Sequence, residues 1–233
     1  MLRIDYIDSS VFMDDRLFGK YYDTIPFSMK KKIDAMHGER ARRNALASSM
    51  LISYAAERKG ISNDLSELTT NDFGKPYFVS GNRRSVFSIS HSEDMVICFY
   101  SDDDNAIIKD LGCDIEKIRD RDITIAERFF SEKEYNDIML APDKKEKNDL
   151  FLRYWTLKES YIKALGKGLF IPLDSFCVNI GENGISMEGN EDFCLLGEEN
   201  GIQGYHVSWC MITEEMIDGC ISLTPFLSEL VPV

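Results

Sequence analysis

Apolar and polar positions recur along this chain with two different periods, and the changes between them mark out its elements. Leu2 to Ile7 reads as an opening strand, followed by a polar segment. From about Lys30 to Lys59, Ala45, Leu46, Met50, Leu51, Tyr54 and Ala55 return at helical spacing, and Gly60 closes the pattern. Pro76 to Val79, Ser85 to Ile89 and Met95 to Tyr100 are short, β-branched or aromatic runs separated by Gly81-Asn82 and Ser92-Glu93-Asp94, as strands and turns are. Asp102-Asp103-Asp104-Asn105 carries no apolar member and predicts an exposed turn and a boundary. The order then repeats: a strand at Ile107 to Ile115, helices from about Ile123 to Gly166, and strands at Phe176 to Ile180, Gly184 to Glu188 and Tyr205 to Met211. Asp143 to Asp149 predicts a solvated loop or a helix start. The reading divides the chain into halves 1–104 and 105–233 of similar element order, without a residue-level repeat.

Composition narrows the class. At 233 residues and 44% hydrophobic content, the chain can bury one substantial core or two small ones. No run approaches the ~18 apolar residues of a membrane span, and the mixed polar amino terminus does not resemble a signal peptide, so a cytoplasmic protein is expected. The six cysteines include no C-x-x-C pair, and Cys98, Cys113, Cys177 and Cys210 sit in apolar strand-like runs. Buried free thiols are therefore expected in place of disulfides or zinc ligands.

Charge is unevenly spread. Residues 1–100 hold 14 Lys and Arg against 13 Asp and Glu, whereas residues 101–233 hold 13 against 27, a net of −14. Such a balance disfavours nucleic acid as a partner. Lys30, Lys31, Lys32, Arg40, Arg42 and Arg43 stand against only Asp34 and Glu39 within residues 30–43, a local basic stretch suited either to an anion or to a solvated helix face.

Two motifs carry the candidate chemistry. In Gly112-Cys113-Asp114-Ile115-Glu116, strand alternation turns Cys113 and Ile115 inward and leaves Asp114 and Glu116 on one shared face. Two carboxylates on one face repel unless a cation lies between them, although an isolated D-x-E on a strand also serves as a solvated face. In Trp155-Thr156-Leu157-Lys158-Glu159-Ser160-Tyr161-Ile162-Lys163, residues 155, 159 and 163 stack along one side of a helix, with Phe151, Tyr154, Ile162 and Leu165 left for the core. Glu159 and Lys163 alone would be an ordinary surface ion pair. Taken together, the motifs supply three carboxylates and two lysines, the groups that a divalent cation and a phosphorylated substrate require. Lys158 lies round the helix from Lys163, at the margin of such a site.

With these motifs in order, the chain resembles the 4′-phosphopantetheinyl transferase superfamily, Sfp type. The resemblance runs through His37 to Arg43, Asn71 to Pro76, Phe87 to Ser92, Gly112 to Lys117, Arg128 to Ser131, Trp155 to Gly168 and Pro172 to Phe176. Ser88, Cys113 and the offset Lys30-Lys31-Lys32 run depart from the usual pattern. The resemblance implies an α+β fold of two similar α/β halves related by a pseudo-twofold axis, and a monomer. It implies transfer of the 4′-phosphopantetheine arm of coenzyme A to a serine of an apo acyl or peptidyl carrier protein, with release of adenosine 3′,5′-bisphosphate. Asp114, Glu116 and Glu159 match its Mg²⁺ positions, which Mn²⁺ can also fill. Glu159 or Glu116 matches the base, and Lys163 matches the lysine that offsets charge on the leaving phosphate. Arg43, Lys75, Ser90 and His91 match positions in contact with coenzyme A phosphates. The alternatives are a coenzyme A or nucleotide binding module without transfer, and a metal-dependent pyrophosphate hydrolase.

Overall fold

The computed structural model describes residues 1–62, 65–102, 107–182, 184–188, 193–214 and 221–225. Two compact units emerge: Met1–Asn71 with Pro76–Asn105 and Asp218–Val233, and Asp72–Lys75 with Ala106–Ile217. The expected halves 1–104 and 105–233 follow chain order, while the units exchange short segments. One exchange is visible in the backbone, where a strand at Ile221–Pro225 pairs in parallel with the opening strand.

The first unit contains β1 (Leu2–Asp8), α1 (Asp15–Tyr22), α2 (Phe27–Asp34), α3 (Glu39–Arg58), β2 (Leu68–Thr70), β3 (Pro76–Ser80), β4 (Arg83–Ser92) and β5 (Met95–Ser101). The expected continuous helix from Lys30 to Lys59 is two helices. Gly38, at φ +102°, takes a backbone conformation closed to an ordinary helix and turns the chain between them. Together with the strand at Ile221–Pro225, these strands form one sheet, in which β1 and β4 flank β5 and β3 and β2 follow β4. The α3 residues Leu46, Ala47, Met50, Leu51 and Ala55 pack against Phe87, Val96, Cys98 and Tyr100 of the sheet. Asp102, expected in an exposed turn, instead accepts two hydrogen bonds from Arg58 at 3.1 and 2.8 Å. The remainder of that predicted boundary lies outside the described residues.

The second unit runs β6 (Ile108–Lys117), α4 (Ala126–Phe129), α5 (Glu132–Leu140), α6 (Lys144–Leu165), β7 (Val178–Gly181), β8 (Gly184–Met187), β9 (Phe193–Glu199) and β10 (Tyr205–Thr213). The final strand of the first unit is then β11 (Ile221–Pro225). β10 pairs antiparallel with both β6 and β9, and α6 packs across this three-stranded sheet. Asp143 starts α6 by accepting from the Glu146 amide at 2.8 Å, so the charged run 143–149 is a helix start. Phe151, Leu152, Tyr154 and Leu157 form the buried stripe of α6, with Leu196, Cys210 and Ile212 from the sheet. Helix and sheet are also joined by a buried hydrogen bond of 2.7 Å between Thr156 Oγ1 and Ser208 Oγ, and by a forked Arg153–Glu198 ion pair.

Candidate active site

The second unit holds the acidic residues, and Gly112 explains how they meet. A β-carbon built at position 112 would lie 1.9 Å from the Ser160 carbonyl oxygen and 2.5 Å from the Ala164 amide nitrogen. Only glycine allows β6 to pass so close to α6. With the two-residue period of a strand, the side that carries position 112 toward the helix also carries Asp114 and Glu116. Cys113 and Ile115 are buried on the opposite side. The D-x-E pair therefore faces a helix and not open solvent.

From α6, Glu159 and Lys163 come to the same place, one turn apart. Lys163 Nζ donates to Asp114 Oδ1 at 2.6 Å. Burial alone would lower the pKa of the Lys163 ammonium, but the Asp114 carboxylate leads the opposing influences and the net direction is up. The pKa of Glu159 is raised as well, here with burial as the leading cause: the Asp114 charge raises it further, Lys163 opposes, and Glu116 adds to the rise. The three carboxylates thus act on one another across the β6–α6 contact.

Their oxygen chemistry suits a hard divalent cation. As the side chains stand, however, no group of three His, Cys, Asp or Glu residues is disposed to hold a metal among the described residues. The reason is local. Asp114 is turned to Lys163, and Glu116 is turned to the Arg121 guanidinium.

The expected phosphate contacts divide between the two units. Arg43, on α3, donates to Asp94 at 2.8 Å and lines a cavity of about 450 Å³ with Phe12, Met13, Asp15, Phe18, Glu39 and Arg42. His91 and Ser90 are neighbours on β4 and so point to opposite faces of the sheet. His91 shares the face of Phe87 and Ile89, which packs against α3, while Ser90 is buried on the other. Lys75 belongs to the second unit, where its Nζ pairs with Asp110 and donates to the carbonyls of Leu111 and Ala164, both at 2.9 Å. All three ammonium hydrogens have acceptors there, so Lys75 clamps its loop to β6 and to the last turn of α6.

Lys158 does not lie at the margin of the site. It is fully buried, pairs with Glu134 at 2.7 Å and donates to the Phe176 carbonyl at 2.7 Å. Glu134 also receives the Ser131 amide in a capping box and the Val178 amide. The Ser131-x-x-Glu134 spacing is a readable helix-start signal that sequence reasoning passed over. Arg121 and Asn148 were also missed. Asn148 is a polar residue in the apolar series 148, 151, 152, 155, which marks a buried amide with bonds to make.

Residues 110–210 match the family model of the 4′-phosphopantetheinyl transferase superfamily. The chain is 34% identical over 177 residues to 4′-phosphopantetheinyl transferase Sfp of Bacillus subtilis (strain 168), covering 75% of each chain. It is 36% identical over 177 residues to the Bacillus subtilis 4′-phosphopantetheinyl transferase ffp, again covering 75% of both. With 4′-phosphopantetheinyl transferase gsp of Aneurinibacillus migulanus it shares 34% identity over 174 residues, covering 74% of this chain and 69% of that one. The chain belongs to the 4′-phosphopantetheinyl transferase superfamily.

Proposed function

We propose that this protein transfers 4′-phosphopantetheine from coenzyme A to a serine hydroxyl of an apo acyl or peptidyl carrier protein. The observation that carries the reading is the meeting of Asp114 and Glu116 on β6 with Glu159 and Lys163 on α6, in a chain of this family. The serine oxygen attacks the phosphorus that bears pantetheine, a new P–O bond forms, and the pyrophosphate P–O bond breaks. Adenosine 3′,5′-bisphosphate leaves with that electron pair, and the serine proton passes to a base. Asp114, Glu116 and Glu159 would hold Mg²⁺ or Mn²⁺, which when bound neutralises phosphate charge in the reaction.

Glu159 is the favoured base. Glu116, its rival, is tied to Arg121. Lys163 places a cation beside Asp114, suited to charge that grows on the leaving phosphate. Arg43 and His91 supply contacts to the coenzyme A phosphates, supported by the cavity at Arg43 and by the α3-facing position of His91. Lys75 holds β6 to α6, and Ser90 is buried on the other face of β4. We place the activity in the cytoplasm, in a single chain. Among the described residues no helix is long and apolar enough to cross a membrane, and Cys98, Cys113, Cys177, Cys194 and Cys210 are free thiols. Cys220 lies outside the described residues.

The test is mass analysis of an apo carrier protein incubated with the enzyme, coenzyme A and Mg²⁺. A covalent gain of phosphopantetheine is expected, and none in excess chelator. An unmodified carrier with cleaved coenzyme A would make the protein a hydrolase, and an unmodified carrier with intact coenzyme A a binding module.

A further inference from the structure

Glu116 accepts a hydrogen bond from Nη2 of Arg121, five residues further on, and the two side chains are 23% and 27% exposed. The segment between β6 and the short helical turn at Ile123–Ile125 is polar and has no regular structure to hold Arg121 in place. Asn148, buried on α6, provides the hold. Its Nδ2 donates to the Arg119 carbonyl at 3.0 Å, and its Oδ1 accepts from the Arg121 amide at 2.8 Å. The same helix carries Glu159 and Lys163, so the loop is registered to the proposed site by a buried amide.

The guanidinium is thereby set in the wall of a small recess of about 80 Å³, formed by Glu116, Arg121, Ile125, Phe151, Leu152 and Trp155. The apolar walls exclude water from part of the pair and strengthen its attraction. Arg121 Nε is buried without a hydrogen-bond partner among the described residues.

We propose that Arg121 is a resident counter-ion for Glu116 that competes with the divalent cation for this carboxylate, with Asn148 as its positioning residue. The inference rests on the reading of Asp114, Glu116 and Glu159 as metal ligands. Glu116 Oε2 must leave the guanidinium before that oxygen is available to a metal, and the guanidinium charge repels a dication nearby. Arg121 thus weakens divalent binding until a phosphorylated substrate adds negative charge to the site, which makes metal and coenzyme A binding mutually reinforcing.

The test is Mn²⁺ titration of the purified full-length chain without coenzyme A, with free Mn²⁺ measured by electron paramagnetic resonance. Arg121→Gln should bind Mn²⁺ about three- to tenfold more tightly than wild type, the range set by loss of a partly exposed ion pair. Arg121→Lys, which retains the charge, should stay close to wild type, and Asn148→Ala should fall between. Equal or weaker binding by folded Arg121→Gln overturns the proposal. Should that variant not fold, the side-chain ¹⁵N resonance of Arg121 in wild type, assigned with Arg121→Lys, decides: it should shift on addition of Mg²⁺, and an unchanged resonance overturns the proposal. Asp114→Asn separates the two levels. If it binds Mn²⁺ as wild type does, the metal reading itself fails; if it loses binding, only the role of Arg121 is in question.

Discussion

Lys158 and Glu134 form an ion pair in which neither side chain has accessible surface, with Nζ 2.7 Å from Oε1. The Phe176 ring lies under the ammonium at 4.2 Å, and the Phe176 carbonyl takes one of its hydrogens. Burial lowers the pKa of Lys158 despite the opposing pull of Glu134, the mark of a charge withdrawn from water. Although Lys158 adjoins Glu159 in sequence, it joins α6 to the start of α5 and to the chain ahead of β7.

Lys158→Ala should therefore damage folding before chemistry, because it leaves Glu134 charged and unpaired in the core. A loss of about 3–5 kcal/mol in urea unfolding is expected. Lys158→Met combined with Glu134→Gln should recover part of it, since neither residue then carries an uncompensated charge. A stable Lys158→Ala with lost transfer would return this lysine to the active site.

Gly112→Ala should separate β6 from α6. The added carbon meets backbone atoms of Ser160 and Ala164, which cannot rotate away as a side chain can. Destabilisation of at least about 1–3 kcal/mol is expected. The fold that remains should transfer more slowly, because Asp114 and Lys163 move apart. Unchanged melting and an unchanged kcat would show that the contact has no such role.

Glu159→Gln should change how stability depends on pH. The folded-state pKa of Glu159 is raised above the ordinary glutamate value of 4.5. Its stabilising contribution is thus fully present below about pH 4.5 and is lost as pH rises through the folded value. In chelator-treated protein, the melting temperature of Glu159→Gln relative to wild type should be higher at pH 7 than at pH 4.5. Differential scanning calorimetry at the two pH values checks this, and a difference independent of pH would refute the electrostatic account.

Lys75→Ala and His91→Ala should part company. Removal of Lys75 leaves Asp110 in a nearly buried position without its cation and frees two carbonyls, at a cost of about 3 kcal/mol. His91 is exposed, so its replacement should leave the melting temperature alone. It should weaken coenzyme A binding by about 1–3 kcal/mol, as loss of a charge-assisted phosphate contact does. Calorimetric titration of coenzyme A with parallel melting curves distinguishes them. Equal melting temperatures and equal losses of affinity would restore Lys75 to the phosphate contacts.

Much of this was readable in one dimension because it depends on short-range geometry. Strand alternation alone sets Asp114 and Glu116 on one face, and helical spacing alone stacks Glu159 under Lys163 and sends Phe151, Tyr154 and Ile162 to the core. The break at Gly38, which the helical pattern ran through, and the start of α6 at Asp143, left open between loop and helix, are also local, since each turns on one residue's backbone or side-chain chemistry.

What periodicity cannot supply is the partner of each charge. Lys75, Lys158 and Lys163 are chemically alike in sequence, yet one clamps a loop to β6 and α6, one is sealed in the core, and one stays partly exposed beside Asp114. The pairing of Arg121 with Glu116 depends on a buried Asn148 twenty-seven residues away. An ion pair is decided by which side chains the folded backbone brings within a few ångströms and by how much water it excludes there. The sequence therefore determined the elements and the chemical inventory of the site, while the tertiary structure alone decided which cations serve the carboxylates and which serve the fold.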